Sequence, residues 1–372
     1  MINALKDSER AVLRLRSLYE SSGYLHFKMS KFEEYDIYAA NKDFLAGESI
    51  ITFTDTNGRL MALKPDVTMS IIRNFKDEPD ITERYHYNEN VYRVSGSSHQ
   101  LTEIMQSGLE CIGSIDLYCT CEVIGLAAKS LKLFEREYVI DLSHMGIVSG
   151  LVDELELMED EKKELLRCIG AKNTHGIKEI AGGRADKLTA LLSISSDPDT
   201  AVKELEAICS CDTMCAGDTS ENLQRSFCEL KDILEVIRGD AFYQNIRLDF
   251  SVVQDITYYN GIVFQGFING VPEKVLTGGR YDLLMRRIGK RGGAIGFGIN
   301  MNLLERIFEG SSEFDADIAV IYNDCDNVRD LLRTVQDLIS VGKRVAAVKK
   351  LSDKARYKQV KIFKDGGLCD VN

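Results

Sequence analysis

The hydrophobic pattern of the first 140 residues predicts an amphipathic helix followed by antiparallel strands. Apolar side chains recur at helical spacing within residues 7–23, and Gly23 ends the predicted helix. The sequence Thr56-Asn57-Gly58 separates two short apolar runs and is typical of a tight hairpin turn, because asparagine and glycine tolerate positive φ. The predicted strands cover residues 49–54, 60–63, 83–94 and 103–113, and a second helix is predicted over 116–134.

The pattern changes near residue 141 and returns near residue 245. Residues 141–244 are acidic and helical in periodicity, which predicts a helical insertion. Strand character resumes afterwards, with a hairpin turn at Asn269-Gly270; strands are predicted over 246–253, 258–267 and 294–299 and a helix over 300–308. We therefore expect residues 1–140 and 245–310 to form one discontinuous α+β core, an antiparallel sheet flanked by helices.

The last segment, residues 311–372, predicts a small α/β unit. Its pattern is strand, helix and strand over residues 317–322, 328–338 and 344–348, which is a βαβ unit. A basic patch follows, made of Lys349, Lys350, Lys354, Arg356 and Lys358.

Composition narrows the class of protein. A chain of 372 residues with 44% hydrophobic content and four prolines predicts a packed globular protein. No apolar run approaches the ~20 residues that cross a bilayer, and the polar N-terminus does not resemble a signal peptide. With ten cysteines, we expect reduced thiols and a cytoplasmic location. The net charge of −12 argues against tRNA as a partner, although a local basic face is compatible with it.

The cysteine cluster Cys209, Cys211 and Cys215 is the candidate for a metal site. It contains no CxxC pair and has no histidine nearby, unlike common zinc modules. We therefore expect no bound metal.

Candidate ligand residues follow one predicted strand. Strand alternation places Gln106, Gly108 and Glu110 on one face, with the glycine leaving space between two polar side chains. Glu110 could hold an α-ammonium group and Gln106 a second polar group of the same small molecule. A solvated strand face is the alternative explanation, since antiparallel sheets often expose one face.

Two further polar residues have both functional and structural explanations. Arg93 shares a predicted face with Glu89 and suits a carboxylate or phosphate, but a surface ion pair with Glu89 is an equal alternative. Asp66 precedes the apolar run MSIIRNF, so helix capping explains it first, and ligand binding is compatible with that role.

A pair of tyrosines and a glycine-rich segment complete the candidate chemistry. Within the segment QDITYYNGIVFQGF, alternation predicts that Tyr258 and Tyr259 point to opposite faces, so that one lines a pocket. Either tyrosine could instead be a core residue. Residues 277–282, TGGRYD, predict a loop whose glycines let the backbone approach a ligand, with Tyr281 beside it.

Together these segments resemble histidyl-tRNA synthetases. Residues 1 to about 310 are similar to the class II synthetase core of that family, which carries Leu-Arg-Pro-Glu-Gly-Thr at LKPDVT, Gln-Leu-Gly-Val-Glu at QSGLE, and its third motif at AIGFGINMNLL. The resemblance implies a class II antiparallel sheet and a histidine pocket. The resemblance implies that histidine is recognised by Asp66, Gln106, Glu110, Tyr258, Tyr259 and Tyr281. Arg93 matches the arginine of the second motif.

The departures from that family concern its ATP chemistry. Ser95 stands for the second-motif glutamate, Gln254 for the histidine-activating arginine, and Leu303 for the third-motif arginine; Ser30 replaces the first-motif proline. Placing the last arginine at Arg306 would require three extra residues. Adenylate formation relies on positioned cations, so we expect no synthetase activity and no cofactor.

The chain departs from the synthetases at the ATP residues, keeps the residues of the histidine pocket and has a short C-terminal segment. In these respects it resembles the regulatory subunits of ATP phosphoribosyltransferase, a paralogous family of histidine biosynthesis. That resemblance implies a non-catalytic chain that binds L-histidine for feedback inhibition, self-associates as a homodimer and joins a short catalytic subunit in a hetero-octamer. Two alternatives stay open: an authentic histidyl-tRNA synthetase, and a histidine- or nucleotide-sensing protein with another partner.

Overall fold

The structure is a computed structural model that describes residues 7–39, 50–94, 100–209, 218–253, 258–308, 314–324 and 327–370. The chain divides into two compact units, Met1–Arg306 and Ile307–Asn372. The strands of the first unit are β1 (Leu25–His26), β2 (Phe32–Glu34), β3 (Thr52–Thr54), β4 (Leu60–Leu63), β5 (Thr82–Val94), β6 (Leu101–Gly113), β7 (Tyr138–His144), β8 (Ile246–Leu248), β9 (Ile262–Ile268), β10 (Leu276–Arg280) and β11 (Gly293–Asn300).

The helices of the first unit surround these strands. They are α1 (Asp7–Ser21), α2 (Asp36–Ala39), α3 (Thr68–Asn74), α4 (Leu117–Lys132), α5 (Met145–Asp153), α6 (Glu159–Gly170), α7 (Thr174–Ala181), α8 (Asp186–Leu192), α9 (Pro198–Cys209), α10 (Asp218–Ile237), α11 (Asp282–Arg287) and α12 (Met301–Phe308). The predicted helices over 7–23, 116–134 and 300–308 are confirmed. Asp116 caps α4, because its carboxylate accepts the backbone N–H of Cys119 at 2.9 Å.

The main sheet has eight strands among the described residues, in the order β1-β5-β6-β11-β10-β9-β7-β8. Its inner pairs are antiparallel, whereas β1 pairs with β5 and β7 pairs with β8 in parallel. The predicted α+β fold is confirmed, but the sheet is mixed rather than wholly antiparallel. Both parallel pairs join strands separated by long connections, as parallel pairing requires. The short strands β2, β4 and β3 form a separate sheet.

The loop predicted over residues 277–282 was wrong in part. Residues 276–280 form strand β10 rather than a loop, since they pair with both β9 and β11. Residues 138–144 form strand β7, which extends beyond the predicted start of the insertion at residue 141. Helices α5 to α10 occupy most of the sequence between β7 and β8. The division into core, insertion and tail stays a prediction.

The two faces of the main sheet have different coverings. Helices α1 and α4 pack on one face, where the ring of Tyr19 lies 6.1 Å from that of Phe297 and its hydroxyl lies 3.0 Å from Ser130 Oγ. Helices α3 and α11 pack near the other face, in a core cluster that includes Ile71, Tyr87 and Leu284. The candidate site lies on this second face.

The second unit contains β12 (Ala316–Ile321), α13 (Val328–Ser340), β13 (Val345–Val348), β14 (Tyr357–Lys364) and β15 (Gly367–Asp370). The predicted βαβ unit is confirmed as β12-α13-β13. Strands β14 and β15 were missed: β14 begins at Tyr357, within the basic patch, and β15 lies beyond it. Lysines at 358, 361 and 364 interrupt the apolar alternation that would have predicted β14.

None of the described helices combines the length and the apolar character that a membrane span requires. Within the described ranges, no group of His, Cys, Asp or Glu side chains could hold a metal ion. Cys209 is buried at the end of α9, whereas Cys211 and Cys215 lie outside the described residues.

Candidate functional site

The floor of the candidate site is built from glycines on two paired strands. Gly108 on β6 lies opposite Gly298 on β11, and Glu110 lies opposite Gly296. A Cβ on Gly108 would lie 2.6 Å from the Tyr87 hydroxyl, and one on Gly296 would overlap the carboxylate of Glu110. Because Gly108 and Gly296 have no side chain, Tyr87 and Glu110 can occupy this space. Gln106, Gly108 and Glu110 share this face, as strand alternation predicts.

Glu110 is the buried acidic group at the centre of this face, with 2% of its surface exposed. Thr68 Oγ1 donates a hydrogen bond to Oε1 at 2.6 Å, and the Tyr281 hydroxyl donates to Oε2. Burial raises the pKa of Glu110 to about 8, partly offset by the hydrogen bonds from Thr68 and Tyr281. The site therefore holds a carboxyl group whose charge depends on what lies beside it.

Three tyrosine rings pack together above Glu110. The ring centroids of Tyr258 and Tyr259 are 4.5 Å apart, and those rings lie 5.6 Å and 6.5 Å from Tyr281. The prediction that Tyr258 and Tyr259 point to opposite faces was wrong. Both residues precede β9, which begins at Ile262, so strand alternation does not govern them. Burial raises the pKa of both hydroxyls well above the usual range, and the carboxylates of Asp66 and Glu110 add to this effect.

Asp66 has the capping role that the sequence suggests. Its Oδ1 accepts the backbone N–H of Met69 at 2.9 Å, in the first turn of α3. Burial raises the pKa of Asp66, while the hydrogen bond from Met69 and the nearby guanidinium of Arg93 counteract the rise. Asp66 and Glu110 therefore interact as two acidic groups in one partly desolvated region.

Arg93 lies farther along the same face than the other candidates. Its Nε donates a hydrogen bond to the Pro65 carbonyl at 3.0 Å, which supports the segment that carries Asp66. The alternative, an ion pair between Arg93 and Glu89, is not found, although the structure describes both residues. Glu89 pairs with Lys64 instead, whose Nζ lies 2.7 Å from Glu89 Oε2. Glu89 itself pairs with Gln106 across β5 and β6.

Sequence reasoning missed three residues that shape the site. Thr68 holds Glu110 but has no distinguishing pattern beyond its place in LKPDVT. Tyr87 lies two residues before Glu89, so alternation could have placed it on the same face. Lys64 is fully buried, which a lysine between leucine and proline does not suggest.

The positions at which the sequence is expected to depart from the synthetase motifs are partly described. Leu303 is half-buried on α12, and Ser30 Oγ accepts the backbone N–H of Phe32 at 3.2 Å. Ser95 and Gln254 lie outside the described residues. Two described cations of this region have partners of their own: Lys64 pairs with Glu89, and Arg93 Nε donates to the Pro65 carbonyl.

Comparisons with known proteins identify the family to which the chain belongs. Residues 3–304 match the family model for histidyl-tRNA synthetase. An ATP phosphoribosyltransferase regulatory subunit from Clostridium kluyveri is 29% identical over 88% of this chain and 85% of its own length. Another, from Bacillus mycoides, is 28% identical over 82% of this chain and 73% of its own length.

Solved structures show the same fold. An ATP phosphoribosyltransferase regulatory subunit/histidyl-tRNA synthetase from Bacillus halodurans superimposes with a TM-score of 0.76 at 22% identity, covering 96% of this chain and 94% of that chain. A chain of an ATP phosphoribosyl transferase complex from Thermotoga maritima gives 0.60 at 18% identity, covering 79% and 97%. The predicted resemblance to ATP phosphoribosyltransferase regulatory subunits is confirmed, and the chain belongs to the histidyl-tRNA synthetase family.

Proposed function

We propose that this chain is a non-catalytic regulatory subunit of ATP phosphoribosyltransferase that binds L-histidine at Glu110 for feedback inhibition. The observation that carries the proposal is the buried Glu110 carboxyl group, held by Thr68 and Tyr281 over a glycine floor. Burying an ionised carboxylate without a charged partner costs free energy, so the site favours a ligand with a positively charged group.

The chemistry of the candidate site supports a small amino acid with a positive group and a flat polar ring. Glu110 can receive the α-ammonium, and the neighbouring tyrosine rings offer faces that attract a cation or stack on an imidazole. Gln106, on the Glu110 face of β6, supplies an amide for a second polar group. Asp66, Tyr258, Tyr259 and Arg93 complete the proposed histidine site.

The same residues argue against adenylate formation. Activation of histidine by ATP needs cations that neutralise phosphate charge in the transition state, and losing two of them would cost several kcal/mol. Leu303 is apolar at the position that the resemblance assigns to the third-motif arginine. Lys64 already binds Glu89, which leaves it poorly placed for a phosphate.

Regulation requires a partner. We propose that the chain self-associates and joins a short catalytic subunit in the cytoplasm, in the hetero-octamer that its resemblance implies. Histidine would then shift a two-state assembly through its higher affinity for the inhibited form, and the active form would weaken histidine binding by the same factor.

The first test uses the chain alone. Titration calorimetry with L-histidine measures binding, and histidine-dependent exchange of labelled pyrophosphate into ATP measures synthetase chemistry. We expect binding without exchange. Robust exchange would identify a synthetase, and the absence of binding would reject the histidine site.

The second test adds a short ATP phosphoribosyltransferase catalytic subunit. Its activity should rise with this chain, and L-histidine should inhibit the mixture. Glu110→Gln should weaken that inhibition at least tenfold while assembly, measured by light scattering, is unchanged. The matched control is Glu235→Gln, an exposed carboxylate on α10. Normal inhibition in Glu110→Gln would remove Glu110 from the site, and histidine binding without activation would point to a different partner.

A further inference from the structure

A series of ion pairs links the helical segment between β7 and β8 to Arg280, the residue that precedes Tyr281. Arg280 Nε lies 2.8 Å from Asp282 Oδ2, and Arg280 Nη1 lies 3.3 Å from Glu229 Oε1. The other oxygen of Glu229 lies 3.3 Å from His144 Nε2. Four charged or polar groups from β10, α11, α10 and the end of β7 are therefore joined in sequence.

Glu229 is the anion at the middle of this chain. His144 Nδ1 accepts the backbone N–H of Gly146 at 3.2 Å, so the ring proton lies on Nε2 and is donated to Glu229. The hydrogen bond from His144 and the charge of Arg280 lower the pKa of Glu229 despite its partial burial. Glu229 is thus ionised and bound on both oxygens.

Arg280 connects this anion to the candidate site from two directions. It directly precedes Tyr281, whose hydroxyl binds Glu110. Its side chain also packs against Gly261, where a Cβ would lie 3.1 Å from Arg280 Cδ. The partner Asp282 accepts the Ala294 N–H at 3.0 Å through Oδ1 and donates its own N–H to Asn260 Oδ1 at 2.9 Å. Asn260 follows Tyr259, so the same small network fixes both tyrosine segments.

We propose that Glu229 is a positioning residue for the histidine site, acting through Arg280 on Tyr281 and on the Tyr259-Asn260 segment. The inference rests on the proposed function and deepens it. Helix α10 belongs to the segment between β7 and β8, while Tyr281 follows β10. Any event that shifts α10 against β10 changes the Arg280–Glu229 contact and therefore the affinity for histidine. The helical segment is thereby a route by which binding elsewhere on the chain reaches the pocket.

A purely structural ion pair is the competing explanation, and the two make different predictions. A structural pair affects folding stability but leaves the geometry around Tyr281 and the affinity of the folded protein unchanged. A positioning residue changes both, and its effect depends on the tyrosine through which it acts.

The deciding measurement needs no ligand. The protein is labelled with 3-fluorotyrosine, and the Tyr281 resonance is assigned as the ¹⁹F signal lost in Tyr281→Phe. We expect Glu229→Gln to shift this resonance and Glu229→Asp, which keeps the charge, to shift it less. The control Glu235→Gln, on the exposed side of the same helix, should leave it in place. A Tyr281 resonance that moves no more in Glu229→Gln than in this control overturns the proposal.

Histidine titrations give the second arm. Glu229→Gln should weaken histidine binding roughly 3- to 30-fold, which lies within the range of coupling between residues in one network. In a Tyr281→Phe background the further loss should be smaller than in the wild type, because one of the two transmitting contacts is already broken. An equal loss in both backgrounds would overturn the proposal. If the wild-type chain fails to bind histidine yet the Tyr281 resonance still shifts in Glu229→Gln, the histidine site of the proposed function is rejected, whereas the positioning of Tyr281 by Glu229 stands.

Discussion

Glu110 on β6 lies directly opposite Gly296 on β11, and the Glu110 carboxylate occupies the volume that a side chain at 296 would fill. Cross-strand neighbours on one face of an antiparallel pair are about 4.5–5.5 Å apart. A glycine at this position is therefore a condition for Glu110 to turn towards Thr68 and Tyr281.

Gly296→Ala should displace Glu110. The new methyl group meets both the carboxylate and the backbone of Leu109, so we expect a loss of about 1–3 kcal/mol in the free energy of unfolding from overpacking. Histidine affinity should fall with it. Urea denaturation and calorimetry measure the two effects. Gly183→Ala is the control, because a Cβ at Gly183 has no neighbour within 4 Å; equal stability of the two variants would contradict the argument.

Glu110 should give the folded protein a characteristic pH dependence. Its pKa is raised to about 8, whereas an unfolded chain has a glutamate pKa of about 4.3. The folded state therefore holds a proton that the unfolded state has lost, so the stabilisation is complete below pH ~4.3 and disappears as the pH rises to about 8.

Glu110→Gln cannot ionise, which makes it the reference for this effect. The free energy of unfolding of the wild type, relative to this variant, should fall by about 3–5 kcal/mol across that window, at about 1.36 kcal/mol per pKa unit. Denaturant titrations at successive pH values test it. Parallel pH profiles for the two proteins would show that the pKa of Glu110 is not raised in the folded state.

Tyr281→Phe removes the hydroxyl that binds Glu110 Oε2. Loss of a hydrogen bond to a buried acidic group should cost about 1–3 kcal/mol of stability. This hydrogen bond also lowers the pKa of Glu110, so the titration of Glu110 should move to higher pH. Carboxyl ¹³C chemical shifts follow that titration, with the signal assigned from Glu110→Gln. Tyr357→Phe, in the second unit, should leave the midpoint unchanged.

Lys64→Met should be strongly destabilising. Lys64 is fully buried and its Nζ lies 2.7 Å from Glu89 Oε2, whose side chain is 15% exposed. Breaking a buried pair leaves an uncompensated charge and costs about 3–5 kcal/mol. The double variant Lys64→Met/Glu89→Gln should recover much of this loss in urea denaturation. Arg16→Ala, which breaks the exposed pair with Glu20, should leave stability nearly unchanged; a similar cost for both would contradict the role of burial.

Local periodicity was sufficient for most of the elements that build the site. Strands β5 and β6 were predicted to within two residues at each end. The alternation of side chains along a strand placed Gln106 and Glu110 on one face. The Asp66 cap was also predictable, since capping depends on residues within one turn.

The positions of residues outside regular strands could not be predicted from local periodicity. Tyr258 and Tyr259 lie on the same side because the chain before β9 is not pleated, and their positions follow from packing against Tyr281. Strand β10 contains two adjacent glycines, which predict a loop from composition, yet it pairs with strands on both sides. The pairing of β9 and β11 around it, not its own sequence, makes it a strand.

The sequence alone determined the order of the longer elements of the core, the face that carries Gln106 and Glu110, and the family, because these depend on spacing and on motifs within short segments. Only the tertiary structure decided which distant residues meet: Thr68 and Tyr281 at Glu110, Lys64 at Glu89, and Glu229 at Arg280. Those contacts join positions from 25 to 171 residues apart. Their formation depends on the register of the sheet and on the burial that follows from it, which no local pattern records.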